Sequence, residues 1–297
     1  MAKIDPPNIL APEAVGAIDT PNTLPPETVG VIGVPNTLTP ITPPESSTNN
    51  ARIGYENLLV SSDFIFADKA LIPNTYERWQ VGGVGSPVRF QFKSLTTFDF
   101  IAFGAHTLGS HDVGQVFVTI EYSTTVGGAL TFFDSFSFGT DNAIMFDYSG
   151  FDVVVAELVF TFDSPNFGAT LGVLYAGKAM EMERSIYGGH SPADLSQKTS
   201  YQSTMSDSGQ FLGRTVTRRG AATEFSWRHL TPGWYRSTFQ RFVDSAVTTP
   251  FFIKWNPAEY PSDTSFGYTT GDIKPTNMGG GSDLMEVSFN FKGHSDS

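Results

Sequence analysis

Val116-Phe117-Val118-Thr119-Ile120-Glu121-Tyr122 decides the fold. Apolar side chains at 116, 118, 120 and 122 share one side of an extended chain, and the other side carries Thr119 and Glu121. That period of two belongs to a strand with one buried face. Val88-Arg89-Phe90-Gln91-Phe92 repeats the pattern. Working outward, Phe98–Phe103, Phe132–Phe138, Asp152–Phe162 and Leu171–Ala176 continue the series, divided by glycine or by Asp, Ser and Asn. Pro73-Asn74-Thr75-Tyr76 reads as a loop. About eight short strands at this spacing predict an antiparallel β-sandwich, of the jelly-roll kind, over residues 51–180.

Beyond residue 180 the texture changes. Arginine becomes frequent, at 184, 214, 218, 219, 228, 236 and 241. Thr231 is a good helix N-cap and Pro232 suits the first helical position. Trp234, Tyr235, Phe239, Phe242, Val243 and Ala246 then fall near helical spacing, and Pro250 stops the run. Phe251–Trp255 and Met285–Phe291 are strand candidates flanking a long loop that contains Gly279-Gly280-Gly281. Residues 181–297 therefore read as an α+β module with one helix lying on a sheet.

Residues 1–50 are of a third kind. Pro7-Asn8-Ile9-Leu10, Pro21-Asn22-Thr23-Leu24 and Pro35-Asn36-Thr37-Leu38 recur at a step of 14 residues. Proline at this density forbids regular helix and central strand, because it fixes φ and removes backbone donors. The repeat keeps apolar pegs, which a plain solvated linker does not need. An extended arm that docks along a repeating surface through Pro7, Leu10, Pro21, Leu24, Pro35 and Leu38 is the expectation. The whole chain is thus mainly β: a Pro-rich arm, a sandwich, and an α+β module.

Composition bounds the function. Charged residues make up only 16% of the chain, and 26 residues are Phe; a typical soluble domain is about 25% charged. Such a chain suits a β-rich structural protein that hides surface in contacts. The net charge of −12 disfavours nucleic acid as a partner, since phosphate needs a basic footprint. Cysteine is absent, which excludes disulfides and thiolate metal sites. No run of about 18 apolar residues is long enough for a membrane span, and Met1–Pro7 has no apolar core of a secretory signal.

Two sets of phrases carry a resemblance. Asn57-Leu58-Leu59, Ala70-Leu71-Ile72-Pro73-Asn74-Thr75-Tyr76-Glu77-Arg78-Trp79 and Phe100-Ile101-Ala102-Phe103-Gly104-Ala105-His106-Thr107-Leu108-Gly109 form the first. It resembles the discoidin-like, galactose-binding-type β-sandwich found in many phage tail proteins. The second set is Gly172–Met182, Tyr187-Gly188-Gly189-His190-Ser191-Pro192, Gly209–Arg214 and Thr270–Pro275. It resembles structural proteins of long-tailed phages, of the distal-tail type that joins tube to tip. The proline repeat is not part of that pattern.

Catalytic constellations are weak. None of the five histidines stands at zinc-site spacing, and His106 and His111 flank a Gly-Ser turn. Ser110 and Ser191 sit beside histidines without a nucleophile elbow. Glu181 and Glu183 read as a solvated strand edge, Gly82-Gly83-Val84-Gly85 lacks the lysine of a phosphate loop, and Asp63, Asp68 and Asp141 show no calcium-cage spacing. The expectation is a non-enzyme with no cofactor and no metal. In the resembling sandwich Tyr76, Arg78, Trp79 and His106 lie in loops, where aromatic faces and polar tips could contact a glycan; the other reading makes Trp79 a plug of the core below the strands and His106 a hydrogen-bonded loop histidine.

The resemblance implies a virion protein of the phage tail, made in the host cytoplasm. It would form a homo-oligomeric ring, a hexamer, that joins tube and tip-hub proteins, with Val287 on a strand edge pairing between subunits. The alternatives are a tail adhesin that binds host surface polysaccharide, and a capsid or connector protein stapled by its arm.

Overall fold

The computed structural model describes residues 49–60, 67–81, 86–110, 116–163, 168–193, 195–281 and 283–294. The proline repeat, with Pro7, Leu10, Pro21, Leu24, Pro35 and Leu38, lies outside the described residues, as do Asp63, Gly82–Gly85 and His111.

The strands of the first part are β1 (Arg52–Gly54), β2 (Leu59–Val60), β3 (Trp79–Gln80), β4 (Ser86–Thr96) and β5 (Phe100–His106). After them come β6 (Phe117–Ser123), β7 (Thr131–Ser137), β8 (Ile144–Asp147), β9 (Val155–Asp163) and β10 (Thr170–Gly177). The second part adds β11 (Met180–Glu181), β12 (Ser200–Met205), β13 (Phe211–Arg218) and β14 (Ala221–Leu230). It closes with β15 (Phe251–Lys254), β16 (Thr264–Thr269), β17 (Lys274–Asn277) and β18 (Met285–Gly293). One helix, α1, joins β14 to β15. Its first turn is Pro232–Trp234, a π-wound turn follows at Tyr235–Phe239, and Gln240–Ala246 completes it.

Two antiparallel sheets make the expected sandwich. One has five strands in the order β2-β4-β9-β6-β7, the other four in the order β3-β10-β5-β8. The core between them takes Phe90, Ile120 and Phe160 from the first and Phe103, Leu171 and Leu174 from the second. Alternation in Phe117–Tyr122 matches this, with Val118 and Ile120 buried and Thr119 half-buried.

β5 and β10 do not alternate: all of Phe100–His106 and Leu171–Gly177 is buried. The reason is a third layer. A seven-stranded sheet, β11-β1-β15-β16-β18-β14 with β17 on β18, covers the outer face of the four-stranded sheet. Phe100, Ala102, Val173 and Tyr175 meet Phe252 and Phe266 there. The Tyr175 ring stands edge-on to Phe252 at 5.3 Å and its hydroxyl donates to the Pro250 carbonyl at 3.1 Å. A Cβ on Gly104 would sit 3.2 Å from the Phe252 ring, so this position favours the residue without one.

A charged cluster ends this apolar interface. Arg52 and Lys254 are cross-strand partners, as are Lys254 and Thr264. The Arg52 guanidinium pairs with Asp147 of β8 and, at 3.1 Å, with Asp99 before β5. Arg52, Lys254 and Asp147 are buried. β1 therefore belongs to the third sheet, although it opens the range read from sequence as sandwich.

The far face of the third sheet carries α1. The Thr231 hydroxyl accepts from the Trp234 N–H at 3.4 Å, as the N-cap reading requires, and Glu183 accepts from both the Thr231 N–H (2.7 Å) and its hydroxyl (2.8 Å). Tyr235, Phe239, Phe242 and Ala246 are buried, with Phe242 edge-on to Phe251 at 4.9 Å. Trp234 packs only partly against this core.

Two expectations are corrected. The stretch read as a long loop holds β16 and β17. Val287, placed on an exposed edge, is fully buried at the centre of the sheet. It faces Trp227 of β14 on one side and Pro275 of β17 on the other. With both sides of β18 paired, that strand has no free ladder to offer a neighbouring subunit.

Candidate functional site

The four residues expected to contact a glycan do not form one surface. The Asn74 side chain accepts from the N–H groups of Tyr76 (3.1 Å) and Glu77 (2.7 Å), and this turn leaves Tyr76 94% exposed. Arg78 is half-buried. Trp79 and His106, expected in loops, lie on β3 and β5 on either side of Leu171. Both are buried: the Trp79 ring meets Phe162 edge-on at 5.5 Å and His106 meets Phe138 at 4.9 Å. They plug the end of the sandwich core and present no face to a sugar. The loop after His106 is clamped by Asp141, which accepts from the Gly109 and Ser110 N–H groups at 2.8 and 2.9 Å.

The acidic candidates separate in the same way. Glu181 is exposed on β11, while Glu183 is committed to the start of α1. His190 packs against Trp255 at 4.9 Å, and burial is the main influence lowering its pKa. Among the described residues no group of three or more His, Asp or Glu side chains is placed to hold a metal ion. No described helix is long and apolar enough to cross a membrane.

The feature that stands out is a two-stranded ribbon, β12 with β13, which pairs with no other strand among the described residues. Every residue of β12 is exposed. The ribbon turns at Ser206–Gln210: Ser206 donates to the Gln210 carbonyl at 2.8 Å, and Gly209 takes φ +82, which favours glycine. Tyr201, Ser203 and Met205 alternate onto one face of β12. Opposite them stand Val216, Arg214 and Phe211. The Arg214 guanidinium lies 4.1 Å over the Tyr201 ring. Tyr201, Met205, Phe211, Leu212 and Val216 are between 45% and 63% exposed. An isolated two-stranded ribbon is marginal in water, and five large apolar side chains on one are a contact surface without its partner.

Charge sets the ribbon apart as well. Residues 198–219 hold Lys198, Arg214, Arg218 and Arg219 against a single acid, Asp207, in a chain of net charge −12. At its base a cleft of about 580 Å³ opens between Lys198, Glu224, Thr270 and Lys292.

No protein-family model and no curated protein sequence matches the chain. Among solved structures it is similar to CBM32-1 from a family 31 glycoside hydrolase from Clostridium perfringens. The identity is 13% and the TM-score 0.32, over 44% of this chain and 97% of that one. It is also similar to a truncated AlyQ with CBM32 and alginate lyase domains, at 15% identity and TM-score 0.34. That match covers 61% of this chain and 49% of the other, so the chain spans about half the length of that structure. The likeness is one of β-sandwich architecture.

Sequence reading missed the ribbon. Ser200–Met205 is polar by composition, and its strand pairing answers to no buried face, so the period of two never becomes a hydrophobic signal. What was visible was the cluster of arginines.

Proposed function

We propose that the chain is a structural subunit that works by joining copies of itself, at the tail tip of a long-tailed phage virion, and that it carries out no catalysis. The observation that carries this reading is the ribbon, apolar, basic, exposed, and without a partner strand among the described residues. A ring closes through heterologous contacts, where one face supplies what the opposite face accepts. The ribbon takes the donor role first assigned to the strand of Val287. The resemblance of the chain's phrases to distal-tail proteins supports a ring that joins tube and tip-hub proteins.

The test is mass photometry of the purified protein over a concentration series. The expected result is a discrete oligomer, a hexamer, that dissociates to monomer when Phe211 and Leu212 are both replaced by Ser. A wild type that stays monomeric at all concentrations, with the tube protein present, overturns the reading.

A second reading has one residue in its favour. Tyr76 presents a bare aromatic ring on a stiff turn, which suits stacking on a sugar, and carbohydrate binding is what the names of both similar structures denote. Capture of a glycan by the wild type and its loss in Tyr76→Ala would support an adhesin instead.

A further inference from the structure

We propose that a bulge in β14 builds a carboxylate-binding pocket, and that the group it takes is an Asp or Glu side chain of a second copy of the chain. The occupant rests on the self-assembly reading above.

In the β14–β18 ladder Trp227 pairs with Val287 and Leu230 with Met285. Arg228 and His229 thus stand opposite Glu286 alone. Trp227 and Leu230 are both fully buried, so the extra residue sends two successive side chains outward. Bulges re-aim side chains in this way and favour binding sites. His229 takes φ +63, a left-handed conformation that costs any residue with a Cβ. Strain of this kind persists where the surroundings enforce it, and it gathers at ligand sites.

The facing wall is the segment Arg184–Gly188, and it is fixed in place. The Tyr187 N–H donates to the Ser226 carbonyl at 2.8 Å, and the Ser185 hydroxyl donates to Asn50 at 3.1 Å. The Tyr187 ring lies 4.0 Å under the Arg228 guanidinium, whose Nε donates to Glu286 at 2.7 Å. Arg228 is therefore held by a carboxylate at Nε and an aromatic ring on its face, and its terminal N–H groups bond no described residue. An open concavity of about 520 Å³ lies between this wall, Arg228 and His229. Arg184 is exposed and makes no ion pair with any described residue. Glu183, next to it, is turned to Thr231.

The charge count selects the ligand. Two arginines face one glutamate, so the pocket has one cation in excess, which a single carboxylate balances. A planar guanidinium matches a planar carboxylate with paired N–H donors. The chain has 30 acidic residues against 18 Lys and Arg, so the surface a second copy presents is rich in that group. β14 follows the ribbon strand β13 after Arg219 and Gly220, so one run of chain carries both the ribbon and the pocket.

The test compares assembly of the wild type, Arg184→Glu, Arg184→Lys and His229→Gly by mass photometry, with and without glutarate. Arg184→Glu should raise the concentration needed for assembly by about ten-fold or more, the cost of one charge-assisted pair turned repulsive. Arg184→Lys should recover part of it, and millimolar glutarate should weaken the wild type. His229→Gly keeps the backbone turn and removes the imidazole. It should melt no lower than the wild type and still assemble less readily. If Arg184→Glu and His229→Gly assemble at wild-type concentrations while the ribbon variant does not, the pocket fails and the assembly reading stands. A wild type that never assembles overturns both. If the wild type retains a uronate-bearing polysaccharide and Arg184→Glu loses it with assembly unchanged, the occupant is a glycan and not a second copy.

Discussion

Lys254 is where single-residue chemistry tells most about stability. Burial lowers its pKa to about 8; Asp147 raises it and Arg52 lowers it further, both less than burial. The folded value lies below the ordinary 10.5, so the folded state disfavours the charged amine. The cost is complete below about pH 8 and fades as pH climbs towards 10.5. It amounts to about 3 kcal/mol at neutral pH. Stability should therefore rise from pH 8 to about 10, until buried tyrosines whose pKa burial raises, Tyr148 and Tyr175, begin to oppose it. In Lys254→Met the rise should be absent, and the variant should be no less stable than the wild type at pH 7. Urea unfolding at a series of pH values measures both. Asp147→Asn leaves Arg52 with Asp99 alone and takes from Lys254 the carboxylate that offsets its buried charge, and should cost about 3–5 kcal/mol. None of this was legible in the chain, because Arg52, Asp147 and Lys254 are far apart in sequence and each reads as an ordinary strand-end charge. Trp79 fulfils the core-plug reading, and His106 departs from the loop reading because pairing of both with Leu171 draws them into the core.

Elements with one buried face were the legible ones. In β18 Val287, Phe289 and Phe291 are buried and Ser288 and Asn290 exposed, as the alternation of the sequence demands. Its neighbours were not legible, since alternation gives a face and says nothing of which strands lie alongside. The centre of a sheet makes the forecast for Val287→Pro severe. The change removes a backbone donor and inserts a ring between β14 and β17, so the folded protein should be lost, which circular dichroism of the soluble fraction would show. The start of α1 was equally plain, because Thr231 and Pro232 cap it through local bonds. The π-wound turn, whose Tyr235 and Phe239 are buried, was invisible, since the spacing of apolar residues does not distinguish it from an ordinary helical turn. Phe239→Ala and Phe242→Ala each remove a fully buried ring and should cost about 3–5 kcal/mol, read as a lowered melting temperature. Trp234→Ala, at a half-buried position, should cost less than either.

Across the described residues the middle sheet, β3-β10-β5-β8, serves two cores at once. Its inner face closes the sandwich and its outer face meets Phe252 and Phe266. A boundary near residue 180 separates kinds of sequence, but it cuts through this shared packing: β1, at the start of the sandwich range, is hydrogen-bonded into the sheet of the other part. A fragment of residues 51–180 would expose Phe100, Ala102, Val173 and Tyr175 together. It would also leave Arg52 without its cross-strand partner Lys254 and β1 without β15. A contiguous apolar face of that kind is an aggregation surface in water. The isolated fragment should keep a β-type circular dichroism spectrum, bind a hydrophobic dye that the full chain excludes, and associate. The full chain, in turn, should melt in one calorimetric transition, because neither core closes without the middle sheet. Two separated transitions in the full chain, with a monomeric fragment that ignores the dye, would mean that the sandwich closes independently and that the interface of Tyr175 with Phe252 adds little to its stability.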